Sequence, residues 1–365
     1  MDNYGYESQG DYYYGNWNDF TLDDEKRARS RFSRLFLSLF LFTVISNAVA
    51  ILAESGLLLL FGQDKAVEIT SSYWYVWVLT VVSMYLIAFP IFFLMVRGMR
   101  KVERIPSDIK VSDILKLFFI AQAFTYVGNF VGSIFNAFFE AFTGAAPEYS
   151  VGDMVMSSPL WIVLLVTVLL APIVEELMFR KLLIDRMSIY GDRIAIIVSS
   201  VAFGIFHGNF YQIFYATLIG FILGYIYVRT GNVIWSMVMH VAFNLWGSLV
   251  PWLLETSGVY AKYEEFLALY TSGEDFMASI EEYASAILYV GLYSSVQLSF
   301  VVLGIVFLVK RMRKTFISDR CEVLIPARRR AAIIIGNVGA ILFLVAMALT
   351  MLMNIIAPLL TTATA

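Results

Sequence analysis

The chain has little charge, one cysteine and two histidines. Charged residues are 15% of its 365 residues and the net charge is −3, whereas soluble domains carry about 25% charged residues. So small a net charge argues against a nucleic-acid partner. The single cysteine, Cys321, excludes a disulfide framework within the chain. With 59% hydrophobic residues, a soluble enzyme and a mostly disordered chain are both disfavoured, and the composition predicts an integral membrane protein.

Long apolar stretches predict an all-α, polytopic membrane protein with about nine transmembrane helices. Each span needs about 20 mostly apolar residues. The fifth stretch is short and nearly fused to the sixth, so these two are predicted as a closely connected pair. The predicted spans are residues 35–62, 73–96, 113–142, 159–190, 194–208, 209–228, 233–254, 285–309 and 331–359.

The basic residues predict the orientation, because Lys and Arg in short loops stay cytoplasmic. They concentrate before the first span, after the second, fourth and sixth, and between the eighth and ninth. By contrast, residues 143–158 have none, and residues 255–282 have seven acids and one Lys. We therefore expect a multi-pass plasma-membrane protein with a cytoplasmic N-terminus and an external C-terminus.

The predicted organisation has five regions, separated by changes in composition. Residues 1–34 are expected to form a disordered cytoplasmic tail, acidic and Tyr-rich at first and then basic. The acidic external loop is expected to contain a short helix. The other regions are the N-terminal spans at 35–158, a central core at 159–254, the acidic loop at 255–284 and the C-terminal spans at 285–365.

Ionisable side chains at membrane depth cost several kcal/mol each, so each is a functional candidate. Both histidines of the chain lie inside predicted spans. Two of the acids, Glu54 and Glu140, fall near the outer ends of their helices and are interpreted as interfacial carboxylates. The remaining candidates are Glu175, Glu176, Arg180, His207 and His240.

The fourth span contains the sequence APIVEELMFR at residues 171–180. Glu176 and Arg180 are four positions apart, in the order that favours a helical ion pair. Glu175 lies about 140° around the helix from Arg180, which leaves its carboxylate free to act as a general base. If the helix ended near Phe179, both acids would instead lie at a wet helix end.

Two further motifs place imidazoles one turn from a neighbour on the same helical face. Phe203 precedes His207, and His240 precedes Asn244, each by four positions. Such an imidazole and amide can stabilise an oxyanion, or the imidazole can ligate a metal. Each histidine alone could equally be a packing residue. All three motifs share one membrane depth only if the fourth helix continues to about Tyr190.

Together these motifs resemble the CPBP family of intramembrane proteases, also called the Abi or type II CAAX-protease family. Its pattern is EExxxR, then FxxxH, then HxxxN or HxxxB, on three helices in that order, and the match covers about residues 159–250. The resemblance implies an all-helical membrane endopeptidase, a hydrolase. Eukaryotic members remove the C-terminal tripeptide of prenylated CAAX proteins, and prokaryotic members are linked to bacteriocin maturation or self-immunity.

The resemblance also implies roles for the site residues. Glu175 would be the catalytic carboxylate, and His207 would position and activate the water. His240 and Asn244 would stabilise the tetrahedral oxyanion. The supporting residues would be Glu176, Arg180 and Phe203.

Cofactor and partners follow from the same resemblance. The family is often labelled metalloprotease, but we favour a metal-free glutamate mechanism, because the chain has no HExxH motif and few candidate ligands. The alternative is zinc held by Glu175, His207 and His240, with an open position for water. The expected partners are a peptide or protein substrate and the lipid bilayer. Two other functions stay open, a non-catalytic scaffold or immunity protein and a proton-coupled transporter.

Overall fold

The computed structural model describes residues 20–144, 150–272, 276–312 and 321–363. This part of the chain contains helices and no strand, which confirms the all-α prediction. The helices are α1 Leu22–Phe61, α2 Gln63–Thr70, α3 Tyr73–Val96, α4 Val111–Thr143, α5 Ser150–Ser157, α6 Leu160–Tyr190, α7 Asp192–Phe206, α8 Ile213–Thr230, α9 Val233–Thr256, α10 Val259–Ser272, α11 Phe276–Met312, α12 Ala327–Ile334 and α13 Val338–Ala363.

Eight of these helices are long and apolar enough to cross a membrane. The fifth predicted span, residues 194–208, is not among these eight: it corresponds to α7, which has only 15 residues. At 1.5 Å per residue α7 is about 22 Å long, shorter than the ~30 Å hydrocarbon core. It ends where Gly208 takes a left-handed φ of 67°. Gly204 then packs on Ile213, and Gly220 on Ser200, so α7 and α8 form an antiparallel hairpin.

The first helix begins earlier than its hydropathy predicts. Thr21 accepts a hydrogen bond from the Asp24 backbone N–H, and the Asp24 carboxylate accepts one from the Thr21 backbone N–H. This capping box starts the helix at Leu22, so the prediction of a disordered tail is wrong for residues 22–34. The rest of that prediction, residues 1–19, lies outside the described residues.

The last two predicted regions are also helical, with different bounds. The acidic loop contains α10, as expected for a short helix. The span predicted at residues 331–359 is instead two helices, α12 and α13. Asn337 lies at the break, where its side chain accepts from the Ala340 N–H and donates to the carbonyls of Ile333 and Ile334. The amide thus caps both helix ends that meet there.

The predicted cytoplasmic loops meet at one end of the bundle. The backbone N–H of Val102 donates to the Asp185 carbonyl at 2.8 Å, and that of Ser107 to the Thr230 carbonyl at 2.7 Å. Glu322 likewise donates to a backbone carbonyl, that of Ile189, at 2.8 Å. Their common location agrees with the alternation of basic loops. Which side of a membrane this end faces stays a prediction.

A buried set of polar side chains fastens this end. We call it the Arg104 cluster: Arg104, Asp185, Ser188, Asp192 and Tyr227. The Arg104 guanidinium is 2.9 Å from Asp185 and 2.8 Å from Asp192, and donates to Ser188 at 2.6 Å. The Tyr227 hydroxyl donates to Asp185 at 2.7 Å. Burial alone would lower the pKa of Arg104, but Asp192 and Asp185 together raise it, so the guanidinium stays charged.

Candidate active site

The EExxxR motif of α6 spans the junction between a short α-helical stretch and a π-helical segment: Glu175 and Glu176 end the α-helical stretch, and Arg180 lies in the π-helical segment that follows. Two π-helical segments, Val163–Leu170 and Leu177–Ile184, flank the α-helical residues Ala171–Glu176. Wide π turns inside helices are frequent at functional sites. The helix runs on to Tyr190, which confirms the condition for a shared depth and excludes a helix end near Phe179.

Pro172 explains why Asn244 is held against α6. In a π-helix the backbone N–H of each residue donates to the carbonyl five positions earlier. The Thr167 carbonyl would therefore accept from residue 172, but that residue is a proline and has no N–H. The Asn244 side-chain amide donates to that carbonyl instead, at 2.9 Å. Asn244 therefore fastens α9 to α6 and satisfies a backbone group that the membrane could not.

The predicted ion pair is present and fully buried. Arg180 Nε lies 3.2 Å from Glu176 Oε2, and both side chains are 0% exposed. The guanidinium carbon is 4.5 Å from the centre of the Phe203 ring, a cation–π contact. Arg180 Nη1 and Nη2 have no hydrogen-bond partner in the described part of the chain. The carboxylate of Glu176 is thus neutralised within its own helix.

His240 lies between the two carboxylates of the motif. Its Nδ1 is 3.0 Å from Glu176 Oε1, and its Nε2 is 3.7 Å from Glu175 Oε2. The Glu175 side chain is 24% exposed, whereas that of Glu176 is fully buried. The two acids therefore differ in environment: Glu176 is buried and paired with Arg180, whereas Glu175 is partly exposed and lies beside the His240 imidazole.

His207 follows the last residue of α7 and has a fixed ring orientation. Its Nδ1 donates to the Phe203 carbonyl at 2.8 Å, so in the neutral ring Nε2 carries the lone pair. His207 interacts electrostatically with both Glu175 and His240. The edge-on Phe203 ring is 4.9 Å from the His207 ring and 5.7 Å from the His240 ring.

Six of the predicted site residues therefore meet, and we call them the Glu175 cluster: Glu175, Glu176, Arg180, Phe203, His207 and His240. Asn244, the seventh, shares a helical face with His240 but is bonded to Thr167. The acids interpreted as interfacial, Glu54 and Glu140, are both exposed. They interact with Tyr75 and Tyr211 respectively.

Three neighbours of the site were missed from the sequence. Ser236 is fully buried and interacts with Glu176. Its position four residues before His240 places it on the same helical face, so the sequence could have identified it as a neighbour of the site. Tyr85 of α3 interacts electrostatically with Glu175. The third is the Thr167 carbonyl. No sequence pattern pairs Tyr85 with α6, because the two lie on separate helices.

The arrangement of the possible donors bears on whether the site could hold a metal. Within residues 20–144, 150–272, 276–312 and 321–363, no three His, Cys, Asp or Glu side chains form a group that could hold an ion. Glu175, His207 and His240 therefore do not fit a metal as they are arranged.

Part of the chain matches a known protein family and is similar to two bacterial proteins. Residues 157–246 match the family model described as Type II CAAX prenyl endopeptidase Rce1-like. The chain is 23% identical over 159 residues to "UPF0177 protein YxdF" of Lactococcus lactis subsp. lactis (strain IL1403), covering 43% of this chain and 89% of that protein. No solved structure matches significantly.

A second relative has a name that states a class. The chain is 30% identical over 96 residues to "Putative membrane peptidase YdiL" of Bacillus subtilis (strain 168), covering 25% of this chain and 37% of that protein. The resemblance expected from the three motifs is thus confirmed for residues 157–246. The matches support a multi-pass membrane protease of the CAAX type.

Proposed function

We propose that the chain is an intramembrane endopeptidase that hydrolyses peptide bonds of membrane-associated substrates, of the CAAX-like or bacteriocin type. The observation that carries the proposal is the unequal pair of acids. Glu176 is neutralised by Arg180, whereas Glu175 is partly exposed and faces His240. An open carboxylate beside imidazoles in a site shielded from bulk water suits a general base.

In this proposal Glu175 deprotonates the water that attacks the scissile carbonyl. His207 shares that water through Nε2, because its Nδ1 is held by the Phe203 carbonyl. The proton moves to the Glu175 carboxylate and is then passed to the leaving amine as the peptide bond breaks. Phe203 fixes the distance between the two imidazoles by touching both.

The oxyanion is stabilised from α9. When His240 is protonated, its Nε2–H can donate to the oxyanion while Nδ1–H stays bonded to Glu176. Asn244 has a second amide hydrogen beyond the one that it gives to Thr167. Loss of one such donor typically costs ~10²–10³ in rate. Glu176 and Arg180 are positioning residues here, since they act through His240.

The decisive experiment compares Glu175→Gln with Glu140→Gln, which changes an exposed carboxylate outside the cluster. Both proteins are purified, placed in liposomes and given a quenched fluorescent peptide ending in a farnesylated CAAX sequence. We expect Glu175→Gln to lose at least ~10³ in kcat, with an unchanged melting temperature and with Glu140→Gln active. Retained cleavage in Glu175→Gln would remove Glu175 as the base.

The same assay addresses the metal and the alternatives. We propose that chelator dialysis leaves cleavage intact, and loss of activity restored by zinc would overturn this. Peptides captured by the Glu175→Gln protein can be identified by mass spectrometry and then given to the unaltered protein. If the chain is a non-catalytic scaffold, the unaltered protein will cleave none of them. A proton-coupled transporter would instead carry solute across the liposome membrane and tolerate Asn244→Ala.

We further infer a plasma-membrane location with the basic loops in the cytoplasm. Cys321, half-buried in such a loop, is a natural reporter because it is the only cysteine. An impermeant maleimide should label it in inside-out vesicles alone. In a Cys321→Ser background, Ser257→Cys should be labelled from the opposite side. Labelling of both from one side would refute this orientation.

A further inference from the structure

A cavity of about 420 Å³ lies between α4, α9 and α11, and none of the described residues lining it belongs to the Glu175 cluster. Next to it, α4 and α11 touch directly, with Gly304 packed on the Phe119 carbonyl so closely that a Cβ would overlap it. The cavity begins one turn beyond this contact on α4, at Gln122, and two turns beyond it on α11, at Gln297. The close contact therefore closes one end of the cavity.

One wall of the cavity is a polar face of α4. Gln122, Tyr126, Asn129 and Ser133 follow each other at intervals of four, three and four residues, which places them on one side of the helix. Gln122 is 3% exposed, and its amide nitrogen has no hydrogen-bond partner in the described part of the chain. Asn129 and Ser133 are exposed, so the cavity has a buried floor and an open side.

The opposite wall is held rigid by its own hydrogen bonds. Gln297 accepts from the Trp246 indole N–H at 2.9 Å and donates to the Tyr293 hydroxyl at 2.8 Å. Phe243 of α9 and Phe130 of α4 add apolar surface to the cavity. The described residues that line the cavity carry no charge, so a charged ligand would lose its hydration there without compensation. The cavity therefore suits a neutral ligand with hydrogen-bonding groups.

We propose that this cavity is a subsite that holds an extended, uncharged peptide segment of the substrate, an inference that rests on the proposed protease function. A segment unwound for cleavage in a membrane exposes backbone N–H and C=O groups, each costing several kcal/mol if unpaired. The amides and hydroxyls of α4 supply partners for them. Gly247, which lines the cavity, is about 10 Å along α9 from His240.

The dimensions of the polar face indicate the length of the segment. From Gln122 to Ser133 the helix rises about 16 Å, at 1.5 Å per residue. An extended chain advances about 3.3 Å per residue, so this face matches about five residues. Successive groups of the face are about 5–6 Å apart, close to the ~6.6 Å repeat of backbone groups that point to one side of a strand.

The test is photolabelling of the Glu175→Gln protein in liposomes, so that the readout does not require cleavage. The probe is an end-capped pentapeptide of Gln, Asn and Leu residues with one diazirine-bearing leucine, and a second probe carries Lys in place of Gln. We expect the neutral probe to label residues of α4 or α11 at the cavity, at least 10-fold more than the Lys probe. Mass spectrometry of the digested protein locates the label.

A matched pair of variants isolates the cavity. Gln122→Leu should reduce labelling at least 10-fold, whereas Asn136→Leu should not, although Asn136 is another buried amide of α4 without a partner among the described residues. If Gln122→Leu does not fold, Ser133→Val at the open side should reduce labelling at least threefold.

Three results would overturn the subsite: equal labelling by the Lys probe, label outside the cavity, or labelling insensitive to these variants. Competition by maltose as strong as by unlabelled pentapeptide would assign the cavity to sugars instead. Failure of the proposed function is a separate outcome, since it is seen as an absence of cleavage by the unaltered protein, whereas labelling of the cavity is measured without cleavage.

Discussion

Buried charges gather in two places of this bundle, and the two places are paired differently. In the Arg104 cluster the guanidinium has three polar partners, and Asp185 also lies 3.2 Å from Lys181. In the Glu175 cluster two guanidinium nitrogens of Arg180 have no hydrogen-bond partner within the described residues, and the partly exposed Glu175 carboxylate is no closer than 3.7 Å to the His240 imidazole.

The difference teaches how to separate a structural cluster from a chemical one. A buried charge that is fully paired costs little and fastens its neighbours, whereas one left open costs several kcal/mol. Proteins keep such unfavourable arrangements mainly at functional sites. We therefore expect changes in the Arg104 cluster to alter stability alone, and changes in the Glu175 cluster to alter rate, or rate and stability together.

Glu176→Gln should have the largest effect on stability, because it leaves Arg180 charged and unpaired in a dry site. Breaking one partner of a buried pair costs about 3–5 kcal/mol, and kcat should fall because His240 loses its acceptor. Thermal unfolding and cleavage assays measure the two effects. The double variant Glu176→Gln/Arg180→Gln should recover stability but not rate, and unchanged stability in the single variant would contradict the ion-pair role.

Arg104→Gln should lower stability by about 2–3 kcal/mol, somewhat less than a pair at the bundle centre because this end is nearer water. The kcat of the folded protein should stay within twofold of the original. As a control, Lys65→Gln removes an exposed pair with Glu68 and should cost under ~1 kcal/mol. A large fall in kcat for Arg104→Gln, with stability intact, would break the distinction between the clusters.

Asn244→Ala should lower stability by about 1–3 kcal/mol, less than Glu176→Gln, because it leaves the neutral Thr167 carbonyl unpaired. Its rate should fall by ~10²–10³ if Asn244 also donates to the oxyanion. Adding Pro172→Ala restores an N–H that can reach Thr167, so stability should recover while rate stays low. Recovery of both in the double variant would show that Asn244 only fastens α9 to α6.

Prediction from the sequence succeeded where the deciding interactions are local. The i,i+4 spacing of Glu176 and Arg180 gave their ion pair, because one helix sets that geometry by itself. It failed for the start of α1, since the Thr21–Asp24 capping box outweighs the polar character of the segment. The prediction of α7 as a full membrane span was also wrong. Hydropathy alone could not show that the helix ends after 15 residues, where Gly208 turns the chain.

The order of apolar and basic segments was enough to determine a helical membrane protein with its basic loops at one end, because the bilayer permits few other arrangements. Only the tertiary structure decided that His240 lies between two carboxylates, that Asn244 replaces the N–H missing from Pro172, and that Arg104 joins residues 81 and 88 positions away. Each of these contacts joins separate segments of the chain, and packing between helices sets such distances, which no periodicity along one helix encodes.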